Sequence, residues 1–206
     1  MAIGPREHYE SNENKDNKET QIETQEHDKN KLQSSERYDS NGYHYETDKQ
    51  GRIKHCEGTL RLEKNNERNP YAQLKAGGED RRRDGEDVRG KDDGGHLIGR
   101  RFGGSKDLDN LIAQNSRFNR GEYKSMEDDW QKRLEENNDD GSSKYTVDVD
   151  IRCKYKGDSE RPDIVYVYSK VTDSDNNVVE KKVYRYHNES ESLVRPPRDL
   201  PNRKEA

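Results

Sequence analysis

The chain is 206 residues long, 40% charged and only 25% hydrophobic, with a mean hydropathy of −1.62, so it has apolar material for one small core and not for several. Its first fifty residues carry twelve Asp and Glu against seven Lys and Arg, which accounts for the whole net charge of −5 and leaves the remainder neutral; that balance excludes the strongly basic body of a high-affinity nucleic-acid binder. No segment is apolar enough to span a bilayer, and the N-terminus lacks the apolar stretch of a secretory signal.

Residues 1–41 hold few apolar side chains beyond Ala2, Ile3, Tyr9, Ile22, Leu32 and Tyr38. Too little surface can be buried there to offset the entropy of ordering, so this segment is expected to be a disordered acidic arm. The folded domain is expected over residues 42–188. Tyr43–Thr47 and Arg52–Leu62 read as strands joined by the turn Asp48-Lys49-Gln50-Gly51. Residues 64–95 read as a long polar connection containing Asn69-Pro70, Gly77-Gly78 and Gly94-Gly95. Loops of that length inside a domain are commonly functional.

His96-Leu97-Ile98 reads as a short strand, and Asn110-Leu111-Ile112-Ala113 as a second apolar run. A helix is expected from about Asn119 to Leu134, because Tyr123, Met126, Trp130 and Leu134 recur at spacings of three and four, with Asn119 suited to its first turn. From Tyr145 the alternation Val147, Val149, Ile151, Cys153, Tyr155 marks a half-buried strand. Ile164–Val171 and Val178–Tyr186 follow as a hairpin about Asp173–Asn177, and residues 189–206 as a frayed tail. Cys56 and Cys153 fall in predicted strands and read as small buried hydrophobes.

The functional signal lies in Asp92-Asp93-Gly94-Gly95-His96, followed by Asn119 and Glu127. Hydrolysing a phosphodiester requires a base for water, neutralisation of the phosphoryl oxygens and help for the departing oxygen. An imidazole supplies the base. A magnesium ion on an asparagine oxygen supplies the rest, since magnesium takes few protein ligands and keeps several waters. Glu127 lies a little over two helical turns beyond Asn119 and can orient water around the metal. Arg81-Arg82-Arg83, Arg89, Lys91, Arg100 and Arg101 bracket His96. Such a run is ordinarily a solvated loop, and beside this motif it reads as phosphate contact, with Arg89 and Arg100 as candidate substrate-binding residues.

Asp93-Gly94-Gly95-His96-Leu97-Ile98, Arg101-Phe102-Gly103-Gly104, Asp109-Asn110-Leu111, Gln114-Asn115, Phe118-Asn119-Arg120-Gly121 and Met126-Glu127-Asp128-Asp129-Trp130 together resemble the DNA/RNA non-specific endonuclease family. The resemblance is closest to the C-terminal toxin domains of secreted bacterial polymorphic toxins and covers roughly residues 43–187. It implies an α+β fold with a ββα-metal (His-Me finger) core and an antiparallel sheet. It implies His96 as general base, Asn119 as metal ligand, Glu127 as the helix glutamate, Asn110 and Asp93 as supporting residues, and Arg101 or Arg120 as transition-state stabiliser. The implied cofactor is magnesium, with manganese as an alternative. The implied partners are DNA, RNA as a second substrate, and a cognate immunity protein, with secretion or delivery into target cells. Many family members place an arginine where this chain has Gly94, which puts that arginine's role in doubt here. The competing reading is a nucleic-acid or partner-binding module with a degenerate nuclease site, favoured by the neutral charge balance and by Gly94.

Overall fold

The computed structural model describes residues 27–64, 66–78 and 92–188. Strands β1 (Arg37–Ser40), β2 (Tyr43–Thr47), β3 (Ile53–Thr59), β6 (Tyr145–Tyr155), β7 (Pro162–Asp173) and β8 (Val178–His187) form one antiparallel sheet in the order β1-β2-β3-β6-β7-β8. Alternation decides its faces. Val147, Val149, Ile151 and Cys153 are buried while Arg152 and Lys154 are exposed, as a period of two requires.

Between β3 and β6 the chain makes a short helix, a second strand pair and a longer helix. The short helix, α1 (Pro70–Ala76), lies within the stretch the sequence assigned to a polar connection. Its start is encoded locally: Asn69 accepts a hydrogen bond from the Ala72 N–H, and Pro70 occupies the first turn, where its missing N–H costs nothing. Strands β4 (Asp92–His96) and β5 (Leu111–Asn115) pair antiparallel with Gly94 opposite Ala113 and His96 opposite Leu111. The longer helix, α2, runs through an α-turn at Ser116–Phe118, a π-helical stretch at Asn119–Tyr123 and an α-helix at Lys124–Glu135. Its cap is Asn115, whose side chain accepts from Arg117 and Phe118 N–H groups, rather than Asn119, which stands one turn further in. β4, β5 and α2 form the expected ββα unit. α2 lays Phe118, Tyr123, Met126 and Trp130 against Val147, Ile151 and Val167 of the sheet, and that seam is the core.

The expected disordered arm extends too far. Residues 27–41 pack onto the domain: β1 pairs with β2, and the Tyr38 hydroxyl donates to the Asp109 carbonyl at 2.7 Å. His27 stacks on Tyr38 with ring centroids 3.8 Å apart, and the Asp109 N–H donates to the Lys29 carbonyl at 3.0 Å. A few well-placed aromatic contacts outweigh the polar composition that suggested disorder. Residues 1–26, the arginine run at 81–83, Arg89 and the tail from 189 lie outside the described residues. At the other boundary Asn188 is buried, with its amide bridging Asn115, Ala113 and Pro162. Cys56 and Cys153 are buried and unpaired. Among the described residues no helix is long and apolar enough to cross a membrane.

Tyr38→Ala removes a buried aromatic that joins the N-terminal strand to the turn before β5, and is expected to cost about 3 kcal/mol of stability. Urea unfolding measures it; an unchanged midpoint would mean that residues 27–41 are not part of the folded unit.

Candidate active site

An open cleft of about 1060 Å³ runs between the end of β4, α1 and the first turns of α2. His96, Asn119, Glu127, Asp93, Arg101 and Arg120 all line it, so residues spread over 35 positions of sequence meet at one place. Asn110 does not line it, and Arg89 is outside the described residues.

His96 ends β4. Burial first, then the positive charges of Arg68 and Arg100, push its imidazole down to about 4. At neutral pH the ring is therefore uncharged, and its Nε2 is buried without a hydrogen-bond partner among the described residues. A buried polar atom in a cleft wall that lacks a protein partner is one that solvent or a ligand must satisfy.

Asp93 sits three strand positions earlier and also lines the cleft. It accepts from Asn119 Nδ2 at 2.9 Å and receives the fork of Arg120, Nε and Nη2 each at 2.8 Å. Burial would raise its carboxyl, but the hydrogen bonds from Arg120 and Asn119 outweigh it and hold the group below the usual carboxylate range. With Nδ2 committed to Asp93, Asn119 presents its carbonyl oxygen as the free donor atom. Asn119 opens the π-helical stretch, a local widening that recurs at functional sites in helices.

Glu127 is a largely buried acid of the cleft. Burial pushes its carboxyl up to about 7, against the opposing charge of Arg101, whose Nη2 lies 4.0 Å away, and a hydrogen bond from the Gly99 backbone. A Cβ at Gly99 would meet the carboxylate carbon of Glu127 at 3.0 Å and its Oε1 closer still, so the loop approaches the acid only because residue 99 is glycine. Arg101 is itself held by Asp128 at 2.6 Å and Gln131 at 2.8 Å. Arg100 donates Nε to the Glu67 carbonyl at 2.7 Å and Nη1 to the Gly104 carbonyl, so its guanidinium staples two loops.

Asn110 explains the loop between β4 and β5. Fully buried, it accepts from the Ile98 N–H at 2.9 Å and the Tyr45 hydroxyl at 3.0 Å, and donates to the carbonyls of Ile98 and Ser105, each at 2.8 Å. Every polar position of the amide is used, which leaves none for a ligand. Its place is behind the site, fixing the chain that leaves His96.

One residue escaped the sequence reading. Arg68, just before α1, lines the cleft, lies near enough to lower His96, and makes no hydrogen bond or ion pair among the described residues. The flanking residues fix its backbone: Asn69 donates to Asp107 at 2.8 Å, and Lys106 pairs with Glu67 at 3.0 Å. Asn69-Pro70 was the available signal, since that pair starts a helix as readily as it marks a turn. Tyr123, read as core, is core, and its hydroxyl also donates to the Leu97 carbonyl at 2.7 Å.

Glu127 carries a pH consequence. Its pKa of about 7 in the fold lies above its ordinary 4.5, so ionising it destabilises the fold. The cost begins near pH 4.5 and is complete above pH 7. Glu127→Gln keeps an acceptor for Gly99 and is expected to stabilise the metal-free protein by about 3 kcal/mol at pH 8 and not at all at pH 4. Urea unfolding in EDTA at the two pH values measures this, and an equal effect at both would refute the buried-acid account.

Comparison with known proteins bears on the same residues. Over 131 residues the chain is 42% identical to the type VII secretion system protein EssD of Staphylococcus aureus, strains USA300 and NCTC 8325 / PS 47, covering 61% of this chain. It spans only 19% of the length of those curated relatives. Among solved structures, the Sda1 nuclease with bound zinc ion aligns at a TM-score of 0.49 and 17% identity, over 72% of this chain and 74% of that one. An extracellular endonuclease aligns at 0.41 and 17%, over 66% and 64%. The sequence model of the DNA/RNA non-specific endonucleases matches residues 34–173, from the strand before β2 to the end of β7 and across every cleft residue named above, and the chain belongs to that family.

Proposed function

We propose that this chain is a metal-dependent endonuclease that hydrolyses phosphodiester bonds of DNA, and of RNA, without reading sequence. The observation that carries the reading is the uncharged Nε2 of His96, without a partner among the described residues, in a cleft that also holds Asn119, Glu127 and Arg68.

The residues fit a hard divalent cation. Asn119 offers a neutral carbonyl oxygen oriented by Asp93, and Glu127 stands in the same wall as an oxygen acceptor for surrounding water. Magnesium held at Asn119, or manganese in its place, would neutralise charge on the phosphoryl oxygens and ease departure of the leaving oxygen. His96 takes a proton from the attacking water as the water oxygen bonds to phosphorus and the bond to the departing sugar oxygen breaks. Of the arginines in the cleft, Arg101 and Arg120 already serve Asp128 and Asp93, and Arg100 serves backbone carbonyls. Arg68 has no such duty among the described residues and is the one we assign to the scissile phosphate. Contacts to phosphate carry no sequence information, which suits a non-specific enzyme.

The name of the Staphylococcus relative supports a link to a type VII secretion system; action as a toxin in a target cell, with an immunity protein covering the cleft in producing cells, rests on the resemblance to polymorphic-toxin domains alone. Gly94, which favoured the degenerate-site reading, has a packing cause instead. A Cβ there would stand 2.6 Å from the Gln73 Cα, so the backbone of α1 occupies the space a side chain needs.

Supercoiled plasmid should be degraded in magnesium and left intact in EDTA. His96→Ala is expected to abolish cleavage while keeping the fold and magnesium affinity, and turnover in that variant would remove His96 as the base. Arg68→Ala should lower kcat/KM about a hundredfold, with partial recovery in Arg68→Lys. Full activity in Arg68→Ala would return the phosphate role to Arg101 or Arg120.

A further inference from the structure

Outside the cleft, one cluster of donor side chains stands on the opposite face of the large sheet. His55 and Glu57 of β3 and Asp150 of β6 point away from the core, because Cys56 and Ile151, which alternate with them, point inward beneath α2. Glu57 and Asp150 are direct register partners across the two strands. One ligand atom from each of the three residues lies within 4.8 Å of the others. His55 Nε2 is 3.1 Å from Asp150 Oδ1 and 3.7 Å from Glu57 Oε2.

Those separations have a chemical meaning. Nitrogen and oxygen ligands about 2.0–2.1 Å from a tetrahedral zinc ion stand about 3.3 Å from each other. The two distances straddle that edge; the shorter is also a hydrogen bond between His55 and Asp150, and the longer one is too long for one. A depression of about 350 Å³ walled by Asp39, His44, Glu46, His55 and Glu57 gives solvent and an ion access to the cluster. Arg152 donates Nε to Asp150 Oδ1 at 2.9 Å and Nη2 to Oδ2 at 2.8 Å. An ion would share Oδ1 with that fork, and outer partners of this kind commonly hold a ligating carboxylate in place.

We propose that His55, Glu57 and Asp150 form a second metal site, selective for zinc, that clamps β3 to β6 and is separate from catalysis. The two carboxylates balance the ion's charge, the imidazole favours zinc over magnesium, and water completes a tetrahedron. Magnesium seeks six oxygens in an octahedron and gains little from a nitrogen ligand. The proposal does not depend on the nuclease assignment, since the cleft and this face share no residue.

The test is calorimetric titration of the untagged, metal-free full chain with zinc chloride in excess magnesium, which competes for the oxygen-rich cleft. The wild type and Asn119→Ala should each take up one zinc ion and melt at a higher temperature with zinc than without it. His55→Ala should lose that uptake and that shift, and Arg152→Ala should bind about tenfold more weakly. Glu57→Gln alters a half-exposed side chain and serves as the second ligand variant should His55→Ala fail to fold. The proposal is overturned if the wild type takes up no zinc, if the ligand variants bind it unchanged, or if Asn119→Ala abolishes binding.

Discussion

The buried amide of Asn110 is the constraint on which the site depends. Between β4 and β5 the chain must leave His96, turn and come back through fourteen residues, too many for a tight hairpin to align. Asn110 closes that excursion by gripping both backbone groups of Ile98 and the Ser105 carbonyl. Tyrosines from three other elements reach in to help: Tyr38 bonds Asp109, Tyr43 bonds Phe102, and Tyr123 bonds Leu97, each at a carbonyl. Each such bond adds only about 1 kcal/mol net, but losing one strands a buried carbonyl at a cost of about 1–3 kcal/mol. The chain solves a backbone problem with side chains, which is why a sequence poor in aliphatic residues carries twelve tyrosines. A tyrosine buries a ring and delivers a hydroxyl in one residue.

Charge in the cleft is arranged by pairing rather than by excess. Arg101 is balanced by Asp128 and approached by Glu127, and Arg120 by Asp93. A neutral domain can therefore hold several guanidinium groups in its cleft without the strongly basic body that composition would have shown. Burial, rather than pairing, moves His96 and Glu127 in opposite directions. Burial disfavours the charged form of both, lowering the base and raising the acid. Arg68 and Arg100 push His96 further the same way, whereas Arg101 holds Glu127 back. Neighbouring groups of different chemistry thus keep an unprotonated base beside an acid poised near neutrality, in one wall of one cleft.

How much of this was legible in sequence depended on whether the determinant was local. The strand alternation from Tyr145 and the helix spacing from Tyr123 to Trp130 are local patterns, and β6 and α2 follow them. The residues that meet in the cleft were found because their spaced motifs were read together. What failed was non-local. The packing of residues 27–41 rests on Tyr38 meeting Asp109, 71 positions away, and no window over the N-terminal segment contains its partner. The Asn115 cap displaced Asn119 because β5 ends where it does, and a cap signal alone cannot say which of two asparagines begins the helix. Arg68 was invisible for the same reason: an exposed arginine in a polar stretch looks like any other until the fold shows which guanidinium groups are already taken.

Gly94 joins these threads. The family resemblance implies an arginine at that position, and glycine there reads at first as a degenerate site. In the fold, α1 lies against β4 so closely that the Gln73 side chain donates to the Gly94 carbonyl and no Cβ fits between them. A helix packed there must begin with a stapled segment, and Asn69, Glu67 and their partners Asp107, Lys106 and Arg100 staple it to the loop beyond His96. The residue in the middle of that staple is Arg68. Glycine at 94 and arginine at 68 are then two aspects of one arrangement, in which the strand carries no side chain at that position and the helix packed against it begins just after an arginine of the cleft lining. Under that arrangement the glycine is a packing requirement, and an arginine placed at 94 would expel α1.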